Sequence, residues 1–358
     1  MITFDDVSFA YQGGIPDGSE PPALRHIHFH AERGECIVLC GKSGCGKTTM
    51  LRMVNGLVPH FYQGRLEGDI TVGNVHIKEA SLPQVAAVAG SVFQNPRTQF
   101  FHLDTTGEMA FNMENLNIPH DKMVERLKET AWKLDIQTLM DRDIFQLSGG
   151  EKQQIACGSV YASMPEVIVM DEPSSNLDME SIRKLQDLIR TMKDEGKTIL
   201  ISEHRLWYLE DIADRYVLLK DGQIENEFTS DEILALSLQE LEQSGLRAIR
   251  RKQLWNMRTR TIRQEKDMEK AAFLEIEGLR FSRQMRQVLD INRLAIPKGA
   301  IVAVIGENGA GKINICALSL RFAETSWNCA DQWRANIKQK AAGAGLPGHA
   351  GTWPSIVQ

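Results

Sequence analysis

A chain of 358 residues has room for two or three domains, and 42% hydrophobic with 25% charged residues is the composition of an ordinary globular protein. A net charge of −6 gives no general attraction to nucleic acid or anionic lipid. No apolar run approaches the roughly 20 residues that span a bilayer, and Met1–Tyr11 lacks the basic-then-apolar pattern of an export signal. These features predict a cytosolic chain that reaches a membrane only through a partner. Six scattered cysteines, with no CxxC pair and no His/Cys cluster, predict reduced thiols and no zinc.

The first strong element is the apolar run 36–40, a buried strand that leads into Gly41-Lys42-Ser43-Gly44-Cys45-Gly46-Lys47-Thr48. This is G-x-x-x-x-G-K-[ST] in its required setting, strand before and helix after. The glycines let backbone N–H groups converge on phosphate at a helix N-terminus, Lys47 neutralises the β- and γ-phosphates, and the Thr48 hydroxyl ligates Mg²⁺. Helix signals dominate about 96–160, including 122–134 and a helix at 151–162 opened by Leu147-Ser148-Gly149-Gly150-Glu151-Lys152-Gln153, a second anion-binding N-terminus. The strand 167–171 ends in Asp171-Glu172, a carboxylate for Mg²⁺ followed by one to polarise the attacking water. A helix at 179–193 and apolar strands at 198–202 and 216–219 complete an alternation that predicts an α/β parallel sheet.

The heptad LSGGEKQ resembles the signature of ABC ATPases, and the resemblance covers the whole of residues 1–230. It implies an α/β P-loop NTPase of the ABC ATPase fold with an inserted helical subdomain at about 96–160, and hydrolysis of ATP with Mg²⁺. Gly41, Ser43, Gly44, Gly46, Lys47, Thr48 and Thr49 are the residues expected to hold nucleotide. Tyr11 resembles the aromatic that stacks on adenine, and Ser148, Gly149 and Gly150 the signature that closes over nucleotide. Gln94 resembles the Q-loop glutamine near Mg²⁺ and the transmembrane partner, Ser175-Asn176-Leu177-Asp178 the D-loop, and His204 the switch histidine. The implied catalytic set is Glu172, His204 and Gln94; the implied metal set is Thr48, Gln94 and Asp171. The wording of 94–101, 104–111 and 202–206 is similar to energy-coupling-factor ATPases, which power uptake of vitamins or of cobalt and nickel ions. That implies a transmembrane subunit and a substrate-binding membrane subunit as partners, no nucleic acid, and a peripheral place on the cytoplasmic membrane face. A soluble ABC ATPase without a transporter is the alternative; it would need recognition insertions that residues 1–230 lack.

A polar, helical stretch at 231–271 follows, with seven Arg or Lys and no acid within 247–263, read as a solvated linker, with a contact to lipid headgroups or a partner as the alternative. Residues 23–41 then recur at a constant offset of 265, with Gly41 answered by Gly306 and Lys47 by Lys312, so 272–312 reads as the start of a second ABC domain. In place of the Ser/Thr after Lys312 stand Ile313-Asn314-Ile315, and no further ABC motif is legible through Gln358. Codons ATC AAC ATT read one nucleotide later give Ser-Thr, restoring GENGAGKST, and the same step at 346–358 permits a second Q-loop ending His-Gln-Leu-Phe. Residues 313–358 are therefore expected to be an aberrant tail, out of frame. In ABC pairs each ATP lies between the phosphate loop of one domain and the signature of the other. A chain without a second signature then needs a homodimer or a separate ATPase subunit, and hydrolyses ATP poorly alone; a non-functional remnant is the third alternative.

Overall fold

The computed structural model describes residues 1–12, 22–250, 272–283, 286–297, 301–306, 310–312, 315 and 333–339. It divides into two units, Met1–Arg258 and Thr259–Gln358. The first unit opens with β1 (Ile2–Tyr11), β2 (Leu24–Ala31), β3 (Cys36–Cys40), α1 (Lys47–Val54), α2 (Leu57–His60), β4 (Gly64–Val72), β5 (Val75–His76), α3 (Leu82–Val88) and β6 (Ala89–Val92). Three helices follow, α4 (Thr105–Asn115), α5 (His120–Lys133) and α6 (Gly149–Ala162). Then come β7 (Val167–Asp171), α7 (Met179–Asp194), β8 (Thr198–Ser202), β9 (Arg215–Lys220), β10 (Gln223–Thr229), α8 (Ser230–Ala235) and α9 (Leu238–Gln243).

Six strands form a sheet in the order β10-β9-β3-β8-β7-β6, parallel except for the β10–β9 pair. Its strands are apolar because both faces are covered. Successive residues of β3 go to opposite sides: Cys36, Val38 and Cys40 join the core shared with α6 and α7, while Ile37 and Leu39 join the core shared with α1 and a second, antiparallel sheet. That second sheet, β2-β1-β4-β5, carries Phe4, Phe9, Leu24, Ile27 and Ile70 inward. The expected strands at 36–40, 167–171, 198–202 and 216–219 coincide with β3, β7, β8 and β9, and the helical insertion with α4–α6.

Residues 230–250 differ from a solvated helix. Two short helices start at Thr229 and Ser237, each a capping box that satisfies the first-turn N–H groups. Ile233, Leu241, Leu246 and Ile249 are buried in the α6/α7 core. The helical path breaks at Gly245, which sits at φ 72° against the Lys42 side chain. Residues 251–271, which hold most of the basic run, lie outside the described residues.

The second unit is a three-stranded antiparallel sheet, β12-β11-β13, formed by β11 (Ala272–Arg283), β12 (Arg286–Pro297) and β13 (Trp333–Gln339). Ile276, Leu279, Phe281 and Leu289 make its small core. Within the stretch expected to be aberrant, 333–339 thus pairs as a strand with β11; Ile313, Asn314 and residues 340–358 lie outside the described residues. The two units share local geometry. A Cβ on Gly46 would lie 2.6 Å from Leu24 Cδ2 and 2.9 Å from Ala23 O; one on Gly311 would lie 2.6 Å from Leu289 Cδ2 and 3.1 Å from Val288 O. What differs is the strand before the loop. Ile301 and Ile305, which answer Cys36 and Cys40 of fully buried β3, are 103% and 89% exposed.

Candidate nucleotide site

The site lies at the carboxyl ends of four adjacent parallel strands, where open α/β sheets bind ligands. β3 delivers the loop 41–46, β8 delivers His204, β7 delivers Asp171 and Glu172, and β6 delivers Gln94. The strand order β3-β8-β7-β6 is what brings residues 163 positions apart (41 to 204) into one cluster.

Two glycines of the loop are required by close approach. Gly41 has φ 134°, and a Cβ there would fall 2.3 Å from the Leu219 carbonyl oxygen; Gly46 has φ 109° and meets β2 as described. Gly44 has φ 81° with open space above it, so only its conformation favours glycine. Lys47 is buried, and its ammonium donates to the Gly41 carbonyl at 2.9 Å and the Lys42 carbonyl at 3.0 Å. Lys312 makes the equivalent bond to Gly306 O at 2.6 Å. The loop is thereby held open around its own lysine. Thr49 is buried and its hydroxyl is 3.1 Å from that of Tyr11, which also accepts from Arg52 at 3.3 Å. The Tyr11 ring meets Phe9 and Tyr62 edge-on.

Thr48 Oγ1 donates to Asp171 Oδ1 at 3.2 Å, and Ser202 Oγ donates to the same oxygen at 2.5 Å. A hydroxyl and a carboxylate at this spacing form the hard oxygen set that suits Mg²⁺. Glu172 stands at φ 43°, a strained conformation for a residue with a side chain. The strain is held by its backbone N–H, which donates to Ser202 O at 3.0 Å, and by both carboxylate oxygens: His204 Nε2 is 3.2 Å from Oε1, and Gln94 Nε2 donates to Oε2 at 3.0 Å. All three expected catalytic residues therefore meet in one cluster. Gln94 gives one amide N–H to Glu172, which leaves its amide oxygen free to face an ion.

The signature residues start α6. Ser148 is its N-cap, accepting from the Glu151 N–H at 3.3 Å, while Glu151 accepts from the Ser148 N–H at 2.7 Å and from Arg142 at 3.2 Å. Burial pushes the Glu151 carboxyl up, but the Ser148 hydrogen bonds and the Arg142 charge outweigh it, and the net shift is downward. A Cβ on Gly150 would strike Ser181 of α7 at 2.2 Å, whereas the space over Gly149 is open. Among the described residues no hydrogen bond joins Ser148–Gly150 to the loop 41–49.

Glu203 and Ser174 were not singled out from sequence. Both are buried, and Glu203 accepts from the hydroxyl of Ser174, from that of Tyr208 at 3.2 Å and from the His204 N–H at 2.9 Å. Burial raises the Glu203 carboxyl pKa, with the Glu172 charge adding to it against those three donors. It ties the loop after Glu172 to the histidine loop. The sequence signal was a carboxylate between an apolar strand and His204.

A P-loop followed by an acidic pair, a histidine and a signature helix on this sheet defines an ATP-binding cassette. The family model described as "ABC transporter" matches residues 24–175. Two proteins of Treponema denticola, each named "Putative ABC transporter ATP-binding protein", are similar to this chain. One is 40% identical over 319 residues, covering 88% of this chain and 63% of that protein; the other is 35% identical over 348 residues, covering 96% and 70%. The chain thus spans about two thirds of the length of these relatives. Among solved structures, cbiO1 from Clostridium perfringens, described as part of the ABC transporter complex cbiONQ, is 26% identical with a TM-score of 0.58, over 65% of this chain and 90% of that one. The cassette MJ0796 bound to ADP and Pi, at 23% identity and TM-score 0.56 over 64% and 99%, shares the fold. The chain belongs to the family of ABC transporter ATP-binding proteins. Its cassette binds ATP, and ATP hydrolysis is the general activity of that family. Among the described residues no helix is long and apolar enough to cross a membrane.

Proposed function

We propose that this chain is the ATP-hydrolysing subunit of an importer of the energy-coupling-factor kind, acting on the cytoplasmic face of a membrane for a vitamin or metal ion. The observation that carries the catalytic half is the Glu172 carboxylate, held by His204 and Gln94 beside the Thr48–Asp171 pair. In this arrangement Lys47 leaves its loop carbonyls for the phosphates, Glu172 takes a proton from the attacking water, and His204 donates to the γ-phosphate. Thr48 and Asp171 would hold Mg²⁺, which when bound neutralises phosphate charge. Tyr11 would serve adenine from the end of β1. The importer half is supported by the wording of 94–111 and 202–206 and by the likeness to cbiO1. Gln94 is the residue nearest a membrane partner in this account.

The recurrence of the Gly46 environment at Gly311 supports a tandem origin, and Ile313-Asn314-Ile315 break the recurring pattern after Lys312. We attribute the break to a one-nucleotide shift after Lys312; a gene sequence that, shifted there, gave neither Ser-Thr nor a second Q-loop would overturn it. The open space over Gly149 suits a nucleotide approaching from a second cassette, in a homodimer or a separate subunit.

Glu172→Gln is expected to lower ATP turnover by at least about 100-fold with ATP affinity within a few-fold of the parent, as loss of a general base does. Turnover that survives the substitution would remove Glu172 from the reaction. The importer assignment is checked by co-expression with its neighbouring membrane subunits. ATP-dependent co-purification is expected, and a chain that stays apart from them in every nucleotide state points to the soluble alternative.

A further inference from the structure

A cavity of about 340 Å³ lies beside the catalytic cluster, bounded by the segment 94–97, the first turns of α6 and the segment 173–177. Its polar walls are Gln94, Asn95, Arg97, Lys152, Gln153 and Asn176, and no carboxylate lines it. Lys152 is 5% exposed, and its ammonium has no hydrogen-bond or ion-pair partner among the described residues. Gln153 is 2% exposed, and its Nε2 likewise has no acceptor. A largely buried lysine on the cavity wall whose ammonium finds no acceptor, beside a buried amide nitrogen that also lacks one, is a costly arrangement that folded proteins retain where something else satisfies it. The N-terminus of the 14-residue helix α6 opens onto the same space through Gly149 and adds positive potential. Burial pushes the Lys152 pKa down, and the neighbouring Arg97 charge adds to that, which an anion between them would reverse.

We propose that this cavity is an oxyanion subsite, separate from the loop 41–48, that takes inorganic phosphate. The lining carries two cations, Arg97 and Lys152, and amide donors with no carboxylate among them, which suits a multiply charged tetrahedral anion. The source follows from position and rests on the proposed function: Gln94 belongs to both the cavity and the catalytic cluster, and Pro173 directly follows Glu172, so phosphate freed by hydrolysis has this cavity next to it. Lys152 and Arg97 hold the anion by charge.

The test is titration of the full chain with inorganic phosphate by calorimetry, with and without saturating ADP. ADP fills the α- and β-phosphate places of the loop 41–48 and displaces phosphate bound there, and Lys152→Met separates phosphate in the cavity from phosphate held beside ADP. Binding that persists with ADP and weakens about tenfold or more in Lys152→Met is the expected result, the size of a lost charged hydrogen bond. The ADP affinity of the variant reports that it is folded. If Lys152→Met does not fold, Arg97→Gln, at an exposed position, carries the same expectation of weaker binding. Phosphate that ADP displaces, no phosphate binding at all, or equal affinity in the folded variants overturns the subsite and leaves the nucleotide assignment standing. A chain that binds phosphate through Lys152 yet fails to bind ADP sinks that assignment instead.

Discussion

Glycine positions in the phosphate loop separate two physical demands that look alike in sequence. Gly41 needs both its φ of 134° and the absence of a side chain, because Leu219 O would sit 2.3 Å from a Cβ. Gly44 needs only its φ of 81°. Gly41→Ala is therefore expected to destabilise the fold by at least about 2 kcal/mol, strain plus overpacking, and Gly44→Ala by about 1 kcal/mol, in chemical denaturation. Equal effects would mean that the backbone of β9 yields. Buried thiols follow a simpler rule: burial raises Cys36, Cys40 and Cys157 to about 12, so they are packing groups and not nucleophiles. At this scale most of the site was legible from sequence, since G-x-x-x-x-G-K-T, Asp171-Glu172 and His204 are each tied to one chemistry. Glu203 and Ser174 were not, because their role depends on burial and on a contact 29 residues apart.

Helix α6 shows how an element serves both stability and site. Ser148 and Glu151 satisfy each other's backbone N–H groups, which fixes the helix start while leaving Gly149 uncovered. Ser148→Ala is expected to cost about 1 kcal/mol, the usual worth of an N-cap. Because the folded Glu151 carboxyl is held below its ordinary value of 4.5, its contribution is present above that pH. It fades as pH falls through the lower folded value, where the folded carboxylate finally takes its proton. The stability difference between the parent and Glu151→Gln should accordingly be largest near neutrality and shrink below pH 4.5; a difference that grows on acidification would contradict the box. Buried parallel strands were readable because both faces are apolar, leaving continuous runs such as Cys36–Cys40. The antiparallel strands β1 and β2 were harder, since Asp6 and His26 take positive φ at register shifts that interrupt the alternation of inward and outward residues. Residues 230–250 misled for another reason: their charges outnumber Ile233, Leu241, Leu246 and Ile249, yet those four decide where the segment packs.

For the whole molecule, the contrast between the two copies of one strand sets the account. In the first unit β3 is paired on both edges by β8 and β9 and covered on both faces by the two cores. The equivalent 301–305 has no such neighbours among the described residues, and leaves Ile301 and Ile305 in water at a cost of roughly 1.5–3 kcal/mol per side chain. The open space over Gly149 at the start of α6 suits nucleotide held by a second cassette, so we propose that turnover depends on two cassettes pairing. The direct measurement is the ATP turnover per chain as a function of chain concentration, with Glu172→Gln as the blank. The account predicts turnover that is low in dilute solution and rises as chains pair, or on addition of a second ATPase subunit. Full turnover, independent of concentration and abolished by Glu172→Gln, would contradict it.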